Sequence, residues 1–174
     1  MFGPLSGFTR VTVAGHGFST GGHGKLLCKF GNTTQAVEAE RLTDTRIVCV
    51  APRAKPHWEP EVVAVEVSNN YGVDYTSSGV GFAYVYDWNI TSISPAAGPP
   101  GGGTAVTVTG YNFINMTAGL QLLRVRFGGA GGESAVVANY VSSTRVIVLS
   151  VPAFRGEGSY DVDVTCNGAD YSSD

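Results

Sequence analysis

The chain has 174 residues, of which 43% are hydrophobic and only 14% charged, against a usual charged share of about 25%; so apolar a chain is not disordered. Its net charge of −3, with no basic block in either half, excludes the electrostatic footprint that a nucleic-acid binder needs. No apolar run reaches the roughly 18–20 residues that cross a bilayer.

Taken in chain order, the predicted elements are short strands. Val11 and Val13 alternate after a Gly-Pro turn. Cys28-Lys29-Phe30 ends at Gly31, and Ile47-Val48-Cys49-Val50 ends at Pro52. Val63, Val65 and Val67 alternate again, and Phe82-Ala83-Tyr84-Val85-Tyr86 follows. The run Trp88–Pro95 is next, then Val106 with Val108, a strand closing on Phe127-Gly128, and Val162 with Val164. Period-two runs of β-branched residues mark half-buried strands. The chain's 24 glycines, with Pro, Asn and Ser, punctuate them. No stretch of helical length carries an apolar stripe.

The chain also repeats itself. Gly3-Pro4-Leu5-Ser6-Gly7-Phe8-Thr9-Arg10-Val11-Thr12-Val13-Ala14-Gly15 returns as Gly98-Pro99-Pro100-Gly101-Gly102-Gly103-Thr104-Ala105-Val106-Thr107-Val108-Thr109-Gly110. Phe18 falls on Phe113, Phe30-Gly31 on Phe127-Gly128, and Val65-Glu66-Val67-Ser68 on Val162-Asp163-Val164-Thr165. A repeat of roughly a hundred residues is one small domain. The expected organisation is two tandem antiparallel β-sandwiches, residues 1–86 and 87–174. The first copy lacks a counterpart of Ile90–Pro95 as opening strand, and the second lacks one of Phe82–Tyr84 as closing strand. The chain thus reads as part of a longer array. Asp87 alone separates the strands ending at Tyr86 and beginning at Trp88. So short a connection predicts a stiff junction and an extended rod.

Ile93-Ser94-Pro95, a Gly-rich turn and Gly103-Thr104-Ala105-Val106-Thr107-Val108-Thr109-Gly110-Tyr111-Asn112-Phe113 resemble the signature of IPT/TIG domains. These are immunoglobulin-like modules of plexins, related surface receptors and some transcription factors. Cys28-Lys29-Phe30-Gly31, Ile47-Val48-Cys49-Val50-Ala51-Pro52 and Val65-Glu66-Val67-Ser68-Asn69-Asn70 extend the resemblance. It implies two immunoglobulin-like sandwiches and, for extracellular members, a disulfide at the positions of Cys28 and Cys49. The second copy places apolar residues there, Val125 and either Val148 or Leu149. The other reading is two reduced cysteines acting as small hydrophobes. Cys166 has no evident partner.

Asn32-Thr33-Thr34, Asn89-Ile90-Thr91 and Asn115-Met116-Thr117 are N-glycosylation sequons. With a disulfide they point to an extracellular or cell-surface location. Little here points to catalysis or a cofactor. His16 and His23 share a Gly-rich loop without a Cys or carboxylate at metal-site spacing. Thr20 stands where a dinucleotide fingerprint needs its third Gly, and Leu26 where a phosphate loop needs Ser or Thr. No catalytic, cofactor or metal residue is therefore assigned. The candidate partner contacts are Trp58 and Arg53, in a Pro-rich loop, and Arg124 and Arg126, on one face of a strand.

These features predict a non-enzymatic adhesion, receptor or surface-assembly segment built of rigid binding or spacer units. Its partners would be other protein domains or surface proteins, including neighbouring copies of the same module, with no nucleic acid and no membrane insertion by these residues. The alternative is an accessory module of a secreted carbohydrate-active enzyme. A DNA-associated module of Rel type is opposed by the acidic balance.

Overall fold

The computed structural model describes residues 1–19, 25–32, 36–55, 59–115, 121–129 and 132–172. They form two compact units, Met1–Tyr86 and Asp87–Asp174. The described residues hold strands and turns but no helix.

The first unit contains β1 (Phe2–Pro4), β2 (Arg10–Ala14), β3 (Leu27–Phe30), β4 (Val37–Arg41), β5 (Arg46–Val50), β6 (Glu61–Ser68) and β7 (Gly81–Val85). They run in the order β1-β7-β6-β3-β4-β5-β2. Strand β4 turns this ladder into two layers. It starts against β3, with Cys28 opposite Val37, and ends against β5, with Ala39 opposite Cys49. The period-two residues fill the space between: Val11, Cys28, Phe30, Ile47, Cys49, Val63, Val65, Val67, Phe82 and Tyr84 form one core. Phe30 meets Phe82 edge-on at 5.5 Å, and Phe82 meets Tyr84 at 5.0 Å. The Tyr84 hydroxyl donates to the Pro52 carbonyl at 2.8 Å. Burial pushes its phenol up to about 12, so it stays a neutral donor at physiological pH.

Not every pair is antiparallel. β1 runs parallel to β7, with Gly3 opposite Tyr84. The first and last strands of the unit share no hairpin, so no tight turn dictates their relative direction.

The second unit contains β8 (Asn89–Ser94), β9 (Val106–Tyr111), β10 (Arg124–Gly129), β11 (Gly132–Val137), β12 (Asn139–Ser142), β13 (Arg145–Val148) and β14 (Asp161–Thr165). Its sheets are β11-β10-β14 and β12-β13-β9-β8. What is one strand in the first unit, β4, is here two, β11 and β12, divided at buried Ala138. The hinge bond is the same in both: Ala39 N donates to Leu26 O, and Ala138 N to Leu123 O, each at 3.0 Å. The repeated glycines have a shared cause. A Cβ at Gly15 would lie 2.8 Å from the Phe18 ring, and one at Gly110 would lie 2.6 Å from the Phe113 ring. Each buried phenylalanine therefore packs on bare backbone.

Cys28 and Cys49 are fully buried and joined in a disulfide across 21 residues, with their Cα atoms 6.2 Å apart. Because they sit on β3 and β5, the bond ties one layer to the other. Their counterparts are Val125 and Val148, both buried, whereas Leu149 is exposed. Register assigns Val148: it lies opposite Val106 as Cys49 lies opposite Val11. The doubly substituted chain C28V/C49V should therefore keep the fold while losing about 2–4 kcal/mol of first-unit stability. Chemical denaturation checks this, and an unchanged midpoint would show that the cross-link is energetically idle.

Candidate functional site

The sequence-predicted surface residues are divided between the two units. Asn32 is exposed just after Gly31, which is left-handed at φ 57°; Thr33 and Thr34 lie outside the described residues. Asn89 is exposed on β8, opposite Tyr111, and the Thr91 hydroxyl of its sequon donates to the Thr109 carbonyl at 3.2 Å. Asn115 is exposed, while Met116 and Thr117 lie outside the described residues. All three asparagine side chains therefore face solvent, where a glycan is tolerated.

Among the partner contacts, Arg53 is exposed, and Trp58 lies outside the described residues. Arg124 is exposed, its Nε donating to the Gln121 carbonyl at 3.4 Å. Arg126 is different. Its Nε and NH2 both donate to Asp163, at 2.9 and 2.6 Å, and its guanidinium lies 4.2 Å from the Tyr171 ring centre. The hydrogen bond to Asp163 holds this cation firmly protonated. The alternating Asp161 and Asp163 are thus not equivalent on a solvated face: Asp163 is partly buried and paired within its own sheet. Arg126 is thus held in place by its own sheet, with its side chain still partly exposed.

His16 is exposed, while His23 and His57 lie outside the described residues. Among the described residues, no three His, Cys, Asp or Glu side chains come together at metal-binding range. Cys166 is buried and unbonded to another cysteine. Burial pushes its thiol up to about 11, against a small opposite pull from the Ile114 N–H at 3.4 Å. It is a packed apolar group at neutral pH.

One polar network was not visible in the sequence. Ser68 and Asn70 organise the turn after β6: Gly72 N donates to Ser68 Oγ at 2.9 Å, and Asp74 N to Asn70 Oδ1 at 3.0 Å. Thr165 and Asn167 repeat this after β14, receiving Gly168 N at 3.0 Å and Asp170 N at 2.9 Å. The spacing Ser68-x-Asn70 against Thr165-x-Asn167 was the available signal. Beyond the first turn, the Glu66 carboxylate accepts hydrogen bonds from Thr76 Oγ1, Ser78 N, Ser78 Oγ and Gly79 N. It thereby holds the segment that leads into β7.

Partial burial alone would raise the Glu66 carboxyl, but the bonds from Thr76, Gly79 and Ser78 outweigh it and hold it below the ordinary glutamate value. A lowered folded value means that the unfolded chain takes up this proton first as pH falls. The stabilisation is complete above the ordinary glutamate range and is lost as pH drops through the lowered value. Glu66→Gln should therefore lower thermal stability at pH 7. The difference from the parent chain should close as pH falls through the lowered Glu66 value. A melting-temperature gap independent of pH would contradict this account.

Comparison with known proteins fits this architecture. The family model described as IPT/TIG domain matches residues 1–84 and again residues 89–174. Mouse fibrocystin-L is 31% identical over 150 residues, which cover 85% of this chain and 3% of that protein. Human plexin-A2 is 30% identical over 148 residues, covering 85% of this chain and 7% of that one. The chain thus spans a small fraction of the relatives it matches. A solved structure of the plexin A4 full extracellular region shares the fold with a TM-score of 0.60 at 20% identity, over 95% of this chain and 14% of that one. The chain belongs to the IPT/TIG domain family and carries two consecutive copies of the domain.

Proposed function

We propose that the chain is a non-enzymatic extracellular segment of adhesion, receptor or surface-assembly type, in which two IPT/TIG units act as rigid binding and spacer modules. The observation that carries this reading is the family match itself: it leaves only residues 85–88 between the two copies. Each of those residues is bonded to a unit. The Val85 carbonyl accepts from Leu5 N at 2.8 Å. The Tyr86 hydroxyl donates to Glu59. The Asp87 carbonyl accepts from Asn112 Nδ2 at 2.7 Å, and Trp88 Nε1 donates to the Val164 carbonyl at 3.1 Å. A connector with no unattached residue is a poor hinge. Trp88 is buried in the second unit, so stiffness on this reading comes from anchoring at both ends of the connector and not from a shared aromatic.

The location is extracellular or at the cell surface. The buried Cys28–Cys49 bond is of the kind that persists in oxidising compartments. The plexin A4 region of like fold is itself extracellular, and Asn32, Asn89 and Asn115 are the glycan acceptors. Partners are other protein domains or surface proteins, neighbouring IPT/TIG copies among them, met through surfaces that include Arg53, Trp58, Arg124 and Arg126. Plexin-A2 and fibrocystin-L as relatives favour this reading over an accessory module of a carbohydrate-active enzyme.

Spin labels placed one in each unit should report a single narrow distance distribution. Asn112→Gly, which frees the Asp87 carbonyl and relieves a backbone at φ 59°, should broaden it. A distribution already broad in the parent chain would end the rigid-spacer reading. Chain secreted from a glycosylating host should lose mass on enzymatic removal of N-glycans, and Asn89→Gln should remove one glycan from the total. Secreted chain with no glycan at any of the three asparagines would overturn the assignment.

A further inference from the structure

Of the chain's asparagines, Asn167 alone precedes a glycine. Such a pair has a reaction of its own. The backbone nitrogen of the following residue attacks the asparagine Cγ, and glycine leaves the approach open because it has no side chain. The nitrogen gives its proton to solvent, the new N–C bond closes a five-membered succinimide, and the side-chain nitrogen leaves as ammonia. Water then opens the ring to aspartate or, where the main chain comes to run through Cγ, to isoaspartate. In sum, one amide and one water become one carboxyl group and one ammonia. The corresponding turn of the first unit has Tyr71 after Asn70, and a side chain there crowds the same approach.

The turn after β14 engages both reacting groups in other bonds. Gly168 N, the nucleophile, donates to Thr165 Oγ1 at 3.0 Å, and Thr165 is fully buried. The Asn167 carboxamide is held at both ends. Its Oδ1 accepts from Thr165 Oγ1 at 3.2 Å, Ala169 N at 3.0 Å and Asp170 N at 2.9 Å. Its Nδ2 donates to Asp170 at 2.7 Å. Attack therefore requires Gly168 N to leave Thr165 and the carboxamide to leave its partners, so only the open fraction of the turn reacts. Once made, the product no longer fits. A carboxylate has no N–H for Asp170 and sets a like charge beside it. Isoaspartate also adds a methylene to the main chain, which takes the donors at 168, 169 and 170 out of register with the side chain.

We propose that Asn167 is a gated modification site: it converts to isoaspartate by deamidation when the turn after β14 opens, and the converted turn does not close again. The residues that follow carry the consequence. Tyr171 lies under the Arg126 guanidinium, and Ser172 exchanges two hydrogen bonds with Val164, at 2.8 and 3.0 Å. Both are positioned by the chain leaving this turn, so conversion loosens them from β10 and β14. The proposal rests on the second unit alone and stands or falls separately from the spacer reading.

The test incubates the whole 174-residue chain in warm, mildly alkaline buffer, folded and in denaturant. Peptide mapping by mass spectrometry and isoaspartyl methyltransferase labelling follow each asparagine. In the folded chain isoaspartate should build up at 167 ahead of every other asparagine. It should form roughly tenfold or more slowly than in denaturant, because the closed turn is unreactive. Thr165→Val, which frees Gly168 N, should move the folded rate towards the denatured one. Asp170→Ala, at a partly buried position, should do the same where the buried substitution costs the fold. Amide exchange at Val164 and Ser172 should quicken in the converted chain. No isoaspartate at 167 would overturn the proposal, as would aspartate alone, which marks direct hydrolysis. Equal rates in the folded and denatured chain, or rates unmoved in both variants, would show that the turn is not the gate. Unchanged exchange after conversion would show that the turn closes again.

Discussion

The first unit depends on one contact, the edge-on meeting of Phe30 and Phe82. A sandwich of fewer than about a hundred residues has a single thin interior, and here aromatic rings from β3 and β7 meet inside it. Phe82 in turn positions Tyr84, whose hydroxyl satisfies the Pro52 carbonyl at the end of β5. Among the described residues β1 pairs with β7 alone, so the ladder bonds of this first strand wait for the last strand of the unit. The contact thus joins elements far apart in sequence, a topology that folds slowly for its size. The disulfide and the β4 crossover connect the same two layers closer to their middle.

The units differ in how they wire one cross-strand pair. Lys29 lies opposite Glu66, and Arg126 lies opposite Asp163. In the second unit the pair closes on itself, and the planar guanidinium both bonds Asp163 and stacks on Tyr171. In the first, the glutamate is one methylene longer and turns away to bind the segment entering β7. Lys29 is left over the Tyr75 ring at 5.7 Å. Cation and carboxylate length change together between the units, and with them the carboxylate goes from stabilising a sheet face to stabilising a loop. The loop it stabilises is the one that delivers Phe82.

Strand content and the two-copy plan were legible because period-two valines and paired glycines are local signals. Gly15 with Phe18 and Gly110 with Phe113 mark the same packing event in each copy. The cross-layer disulfide was legible only through the repeat and the family resemblance, since spacing alone does not bring Cys28 to Cys49. The parallel β1 was not legible: Phe2-Gly3-Pro4 is too short to show a period, and its partner lies at the far end of the unit. The Arg126–Asp163 pair was not legible, because it depends on register between β10 and β14, which no single strand reveals. The Glu66 network escaped for the same reason, its donors all coming from a loop without hydrophobic pattern. Trp58, chosen for its composition, lies outside the described residues.

The parallel pairing of β1 with β7 has a mechanical consequence. These strands lie at the two ends of the first unit's chain, at Phe2–Pro4 and Gly81–Val85, and point the same way. Tension applied through the two ends pulls them along their length in opposite senses. The backbone bonds between them are then loaded together, in shear, and do not open one after another like a zipper. Behind that clamp, β4 makes the ladder continuous from β7 to β2, so load that enters at the ends is shared across both layers. A module built this way resists stretching along the chain far better than it resists peeling from one edge.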